Sequence, residues 1–286
     1  MFDSIGRVFY PVGADTQIRD LVAEVDEYFI DGIQIRPGDV VFDVGANLGV
    51  FALHACMKAG GPLRLYCFEP IPELFLALKH NLETNPLNDA TSTHFFNAGL
   101  TREGGPSEAL FHYFKRLPCD TTQHLDEKRQ EFNSFFDAQG DSAHRALGVG
   151  GGKIVRDLIK AFPRNAVGRW LFDRAIGATP LCAPLTTIAD VVAKEGLDRI
   201  DLLKVDVEGA ELDVLRGVGS EAWPRVRQVV LEGHDIGGRL AEMRDILHAA
   251  GFDRIRSEVP PLAVARGLNN FVLTARRERA QGCLQD

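Results

Sequence analysis

Polar residues stand at the ends of several apolar runs, where a folded chain would present them to a ligand. The run VVFDV (residues 40–44) carries Asp43 and leads into a loop with two glycines, whose candidate binding residues are Gly45, Ala46, Asn47 and Gly49. Glycine lets a backbone approach a ligand closely and adopt positive φ. The helix expected after the loop begins with unpaired N–H groups. This stretch is therefore the first predicted ligand-binding segment.

Two later run ends suggest which ligand this is. Glu69, followed by Pro70, ends the second predicted strand, and a carboxylate at that place can accept hydrogen bonds from both hydroxyls of a ribose. Asn97 closes the third predicted strand, where an adenine edge would lie. Position 47 is asparagine, whereas the dinucleotide fingerprint G-x-G-x-x-G requires glycine there.

These residues fit a ligand that joins a nucleoside to a zwitterionic tail and has no phosphates, such as S-adenosylmethionine. A strand–turn–helix corner with no ligand is the alternative. The predicted cofactor-binding residues are Asp43, Gly45, Ala46, Asn47, Gly49, Glu69, Pro70, Asn97 and Asp206.

A second group of ionisable residues follows the fourth predicted strand. Lys204, Asp206 and Glu208 alternate in LLKVDVEG and so share one face of that strand end. Ionisable groups in an apolar strand are costly to bury unless they are paired. Either they handle a substrate, or Lys204 and Asp206 close the strand as an ion pair while Glu208 caps the next helix.

The fifth predicted strand ends VVLEGHD, which places Glu232 and His234 on one face. Histidine suits proton removal near neutral pH, and a neighbouring carboxylate would orient it. We predict His234 as the general base, with Glu232, Asp206, Glu208 and Lys204 as the other catalytic candidates. A hydrogen-bonded structural histidine is the alternative.

Metal ions are not predicted. Asp206, Glu208 and Glu232 nevertheless offer oxygens of the kind that Mg²⁺ prefers. The five cysteines include no C-x-x-C pair, which argues against zinc.

An alternation of strands and helices must position these residues. Predicted strands lie at 40–44, 63–69, 93–99, 200–207 and 226–234, with closing strands at 252–258 and 269–277. Predicted helices lie at 49–60, 71–85, 185–196, 210–218 and 238–251. Such an order indicates a parallel α/β sheet with helices on both faces.

The chain divides into an N-terminal arm (1–36), a core (37–100 and 184–276) and an insertion (101–183). The insertion shows no clear strand, so we expect it to be mainly helical and to act as a substrate lid. Its glycine cluster at 148–152 would be the hinge.

Charge and hydropathy exclude several classes of protein. Forty acidic residues against 32 basic ones give a net charge of −8, which argues against nucleic acid as the main partner. No signal peptide or membrane span is visible, so we expect a cytoplasmic location and no membrane partner.

Four stretches, VVFDVGANLGVF, YCFEPIPELFLALKHNLETN, LTTIADVV and IDLLKVDVEGAELDVLRG, resemble in this order the FkbM family of methyltransferases. The resemblance implies a class I, Rossmann-like fold, with a seven-stranded sheet whose last strand is antiparallel. It also implies O-methylation in secondary metabolism. The acceptor would be a hydroxyl on a natural product, a sugar, or a carrier-bound polyketide or peptide, with a carrier protein or larger synthase as partner. The alternatives are N- or C-methylation, a NAD-type oxidoreductase, and a catalytically inactive binding module.

Overall fold

The hydrophobic runs of the chain form alternating strands and helices. A computed structural model describes residues 8–10, 21–22, 25–114, 121–129, 178–261, 264 and 270–277. The strands are β1 (Val40–Val44), β2 (Arg64–Phe68), β3 (Ser92–Phe96), β4 (Gly99–Leu100), β5 (Glu108–Phe114), β6 (Ala178–Thr186), β7 (Leu202–Val205), β8 (Gln228–His234), β9 (Arg254–Glu258) and β10 (Asn270–Arg276). The helices are α1 (Val50–Ala59), α2 (Pro72–Thr84), α3 (Ile188–Glu195), α4 (Glu211–Arg216) and α5 (Arg239–Ala249), and short 3-10 helices lie at Val25–Tyr28, Pro86–Asn88 and Trp223–Arg225.

Seven of the strands form one sheet in the order β3-β2-β1-β7-β8-β10-β9. The pairs from β3 to β8 are parallel, and β10 runs antiparallel to both of its neighbours. The strand order reverses beside β1, so the loops after β1 and β7 leave a crevice at the carboxyl edge. The predicted class I methyltransferase fold, with an antiparallel last strand, is confirmed.

Side chains on the two faces of the sheet enter two separate apolar clusters, because successive strand residues point to opposite faces. Val41 and Leu202 pack with α1 and α2, while Phe42 and Leu203 pack with α3, α4 and α5. Asp43 and Lys204 are partners in the β1–β7 register. By the same alternation they share the face of Val41, toward α1.

The three-stranded sheet β4-β6-β5 corrects the sequence interpretation. β5 and β6 both lie within or across the insertion, so the prediction that residues 101–183 contain no strand is wrong. The prolines at 180 and 184 are the reason why the sequence does not indicate β6, because proline is uncommon inside strands. They are tolerated because β4 pairs only with Leu185 and Thr186, and no other strand of the described residues pairs with the rest of that edge. The predicted lid and its hinge at 148–152 lie outside the described residues.

The described parts of the N-terminal arm pack against the core. Asn81 of α2 accepts a hydrogen bond from the Phe9 N–H at 2.6 Å and donates to the carbonyls of Phe9 and Leu48. One buried amide thus joins the arm to the loop after β1. None of the described helices is long and apolar enough to cross a membrane.

Candidate active site

An open cavity of about 860 Å³ lies at the carboxyl ends of β1, β2 and β7. Eight of the predicted site residues line it: Gly45, Ala46, Asn47, Glu69, Pro70, Lys204, Asp206 and Glu208. Five others are absent from its described lining: Asp43, Gly49, Asn97, Glu232 and His234. The roles predicted for these thirteen residues stay predictions.

The loop after β1 is held by its neighbours as well as by its own turn. The N–H groups of Gly45 and Ala46 donate to the Phe68 carbonyl at 3.1 and 2.9 Å. Gly45 has φ +75°, and a Cβ there would stand 1.8 Å from the Asp206 carbonyl oxygen. The glycine at position 45 is therefore demanded by the close approach of the β1 and β7 loops.

Glu69 is a buried carboxylate at the end of β2. Its Oε2 accepts a hydrogen bond from the Asn47 N–H and its Oε1 from the Ile71 N–H, both at 2.9 Å. Burial raises the pKa of Glu69 to about 7, and the two backbone bonds and the Lys204 ammonium only partly offset it. Two N–H groups thus fix this carboxylate at the cavity wall, with lone pairs left for a ligand.

Asn97 supports the same wall from behind. Its side-chain amide donates to the Glu69 carbonyl at 2.8 Å and to the Pro70 carbonyl at 3.2 Å. These bonds hold the turn that carries the Glu69 carboxylate. The predicted contact of Asn97 with an adenine edge stays a prediction.

Asp43 and Lys204 form a buried ion pair below the loop. The Lys204 Nζ lies 3.1 Å from Asp43 Oδ1 and 2.9 Å from the Gly45 carbonyl oxygen, and both side chains are almost wholly excluded from solvent. Burial works against the ammonium, but the carboxylates of Asp43 and Asp206 outweigh it and raise the Lys204 pKa. The ion pair links β1 to β7. Asp43 is absent from the described lining of the cavity, but its partner Lys204 belongs to it.

Asp206 faces the cavity and contacts a residue that the sequence gave no reason to choose. Its Oδ2 lies 3.6 Å from the Lys204 Nζ and 3.1 Å from the Tyr28 hydroxyl. The same hydroxyl lies 2.7 Å from Glu232 Oε2, and the Asn270 amide donates to Glu232 Oε1. Tyr28 comes from the arm and caps the face of the sheet that Asp206 and Glu232 share.

Glu208 is tied to the 121–129 segment, which crosses the turn after β7. Its Oε2 pairs with the buried Lys128 Nζ at 2.9 Å, and its carbonyl accepts a bond from the Thr122 hydroxyl at 2.8 Å. Arg239 of α5 holds the same segment through a two-pronged bond to Glu127 at 2.7 and 2.9 Å. These contacts fix the 121–129 segment as one wall of the cavity.

His234 is the last residue of β8 and pairs with Asn270 in the β8–β10 register. It is half-buried and follows Glu232 on the same face of the strand. Its predicted role as the general base stays a prediction.

Sequence reasoning missed the cavity residues that come from outside the core. Tyr28 comes from the arm, Phe111 from β5, and Thr121 and Gln123 from the 121–129 segment. The run EALFHYF (108–114) carried a usable signal for Phe111, because its alternation and aromatic content are typical of a strand. Nothing in the sequence marks Tyr28.

The described residues contain no group of three or more histidine, cysteine, aspartate or glutamate side chains arranged to hold a metal ion.

The sequence profile described as "Methyltransferase FkbM domain" matches residues 43–254. The chain belongs to the FkbM methyltransferase family. The family resemblance seen in the sequence is thereby confirmed, and the match spans all the strands from β2 to β8.

Individual relatives agree with this assignment. The chain is 31% identical over 236 residues to "31-O-demethyl-FK506 methyltransferase FkbM" of Streptomyces tacrolimicus, which covers 82% of this chain and 81% of the relative. It is 33% identical over 239 residues to "AMB antimetabolite synthetase AmbE" of Pseudomonas aeruginosa, covering 80% of this chain and 10% of that protein. Among solved structures, the METTL16 MTase domain aligns with a TM-score of 0.46 and 11% identity, covering 96% of this chain and 74% of that one.

Proposed function

We propose that the protein is an S-adenosylmethionine-dependent O-methyltransferase acting on a hydroxyl of a small or carrier-bound natural product or sugar. The observation that carries the cofactor assignment is the charge of the cavity. Lys128 pairs with Glu208 and Lys204 with Asp43, so Glu69 and Asp206 give the described lining its excess of carboxylates.

This charge balance discriminates between nucleotide ligands. A dinucleotide would bring two phosphates toward an excess of carboxylates, which repel it. A nucleoside that carries a sulfonium and an ammonium brings positive charge instead. The charge of the cavity therefore supports S-adenosylmethionine and disfavours the NAD alternative.

The individual residues fit the parts of this cofactor. Glu69 has the carboxylate that two ribose hydroxyls require, and the backbone of residues 45–47 passes along the same wall. When bound, S-adenosylmethionine supplies a methyl group on a sulfonium sulfur that an acceptor oxygen can displace. The protein must hold the acceptor in line and take its hydroxyl proton.

The acceptor class rests on the relatives. The Streptomyces tacrolimicus relative is named for the O-methylation of a natural product, and the Pseudomonas aeruginosa relative is a synthetase roughly ten times as long as the matched region. Both support a natural-product acceptor, and the second supports a carrier protein or larger synthase as partner. N- or C-methylation on the same fold is the alternative.

Two measurements test the proposal. Calorimetric titration should show binding of S-adenosylmethionine and none of NADH, and the reverse result would refute the cofactor assignment. Incubation with S-adenosylmethionine carrying a labelled methyl group and 31-O-demethyl-FK506 as the first acceptor probe should place the label on an oxygen. Mass spectrometric fragmentation that finds the label on nitrogen or carbon would replace O-methylation by the alternative.

The pKa of Glu69 predicts how cofactor affinity depends on pH. Ribose hydroxyls donate to the ionised carboxylate, and a pKa near 7 leaves this side chain largely protonated at pH 6. Protonation therefore competes with the ligand, so affinity falls as pH is lowered through 7. Calorimetry should show S-adenosylmethionine binding about tenfold more weakly at pH 6 than at pH 8.

The matched control is Glu69→Gln, which keeps the shape of the side chain and cannot ionise. It should bind S-adenosylmethionine more weakly than the wild type, by about 1.5–3 kcal/mol at pH 8. Its affinity should vary much less between pH 6 and pH 8. A wild-type affinity that is flat across this range would show that Glu69 does not meet the ribose as an anion.

A further inference from the structure

The Tyr28 hydroxyl lies between two carboxylate oxygens, Asp206 Oδ2 at 3.1 Å and Glu232 Oε2 at 2.7 Å. A hydroxyl has one proton and can donate to only one of them. The shorter contact and the Asn270 amide on the far side of Glu232 direct that proton to Glu232. The Tyr28 oxygen then offers a lone pair toward Asp206, which can be used only if Asp206 acquires a proton.

We infer that Asp206, Tyr28 and Glu232, here called the proton triad, receive the proton that methyl transfer releases. Asp206 is the catalytic residue, because it lines the cavity as well as contacting Tyr28, whereas Glu232 is absent from the described lining. Tyr28 is a positioning residue that accepts the hydrogen bond of the newly protonated carboxyl group. This inference deepens and rests on the proposed methyltransferase function.

The charge balance of methyl transfer explains why a group with two carboxylates suits this reaction. The acceptor oxygen forms a bond to the methyl carbon, the carbon–sulfur bond breaks with its electron pair left on sulfur, and the acceptor's O–H proton is transferred to Asp206. The sulfonium charge disappears from the cavity in the same step in which the proton appears on the triad. The net charge of the site is unchanged, so no buried charge is left uncompensated.

The surroundings of the triad are consistent with this assignment. Burial and the two neighbouring carboxylates raise the Tyr28 pKa well above its ordinary value, so the phenol keeps its own proton. Lys204, with Asp43 as its partner, approaches Asp206 from the β1 side at 3.6 Å. Glu211 belongs to α4, and burial raises the pKa of its carboxyl group. His234 follows Glu232 on β8.

The inference can be tested with S-adenosylmethionine and S-adenosylhomocysteine, without knowing the acceptor. The second ligand lacks the sulfonium charge, so its complex should draw a proton onto the triad from solvent. Calorimetry at pH 7 in buffers of different ionisation enthalpy counts the protons taken up on binding. The S-adenosylhomocysteine complex should take up more protons than the S-adenosylmethionine complex at the same pH. Proton exchange by Glu69 cancels, because the two ligands share the same ribose.

Tyr28→Phe removes the oxygen that accepts the bond from protonated Asp206. Both ligands should still bind, but the difference in proton uptake should be lost. Glu232→Gln should abolish it too, which keeps the test open if Tyr28→Phe fails to fold. Tyr66→Phe is the matched control. It removes a buried hydroxyl that contacts Arg64 at 3.0 Å on β2, and it should keep the wild-type difference.

Three results would overturn the inference. Equal proton uptake with the two ligands in the wild type would show that the triad does not bind the proton. A difference that persists in folded Tyr28→Phe would remove Tyr28 from the role. A difference lost in His234→Ala but kept in Tyr28→Phe would assign the proton to His234. If neither ligand binds the wild type at all, the proposed function itself fails, which is a distinguishable outcome.

Discussion

Replacing Lys204 by methionine is expected to lower the free energy of unfolding by about 3–5 kcal/mol. The Lys204 ammonium neutralises the Asp43 carboxylate at 3.1 Å, and neither side chain has meaningful access to water. Methionine fills a similar volume but leaves the buried carboxylate without its counter-charge. The loss should be measured by denaturant unfolding, with the slope of the transition checked against the wild type.

Two further variants make this result specific to the pair. Asp43→Leu combined with Lys204→Met removes both charges and should be clearly more stable than Lys204→Met alone, because no isolated charge is left buried. Lys79→Met removes an exposed lysine that lies 3.6 Å from Glu83 on α2, and it should change stability by less than about 1 kcal/mol. A Lys204→Met loss as small as that of Lys79→Met would mean that Asp43 is not held as a buried anion.

Replacing Gly45 by alanine is expected to destabilise the protein by more than about 3 kcal/mol and to abolish cofactor binding. Two costs act at this position. The backbone has φ +75°, and the added Cβ would stand 1.8 Å from the Asp206 carbonyl oxygen, so the β1 and β7 loops must separate. Their separation moves the Asp206 carboxylate and the cavity wall together. Thermal unfolding and calorimetric titration with S-adenosylmethionine measure the two losses.

Gly60→Ala is the matched control for this variant. Gly60 also has positive φ, +64°, at the end of α1, but a Cβ there would meet nothing within 4 Å. It should cost only about 1–2 kcal/mol, the strain of a left-handed alanine, and leave binding unchanged. If the two variants cost the same, the contact between the β1 and β7 loops would not be what requires glycine at position 45.

The core could be predicted from sequence because its signals are local. The run 40–44 is β1 residue for residue, and the helix predicted at 71–85 is α2 with one residue fewer at each end. The periodicity of apolar residues indicates helices and buried strands, and glycine or proline marks where they end. The number of strands in the main sheet and its antiparallel last strand followed from the family resemblance rather than from periodicity.

The site was harder to predict, because contacts between distant segments decide it. The sequence correctly places Asp43 at a strand end. Only the β1–β7 register shows that its carboxylate pairs with Lys204. Glu208 alternates with Asp206 in sequence, yet Lys128 of the insertion binds it. Tyr28 is separated from Asp206 by 178 positions, and no local pattern reports such a contact.

The β5–β6 ribbon also bears on how the insertion can vary between proteins of this fold. Phe114 and Ala178 are paired across the ribbon, so the chain leaves and returns at adjacent points, with Cα atoms about 5 Å apart. Residues 115–177 are therefore attached to the ribbon at two neighbouring points. An exchange of residues 115–177 would also replace the 121–129 segment, whose Lys128 pairs with Glu208 and whose Thr121 and Gln123 line the cavity. Chimaeras spliced at Phe114 and Ala178 would therefore test whether the predicted lid selects the acceptor.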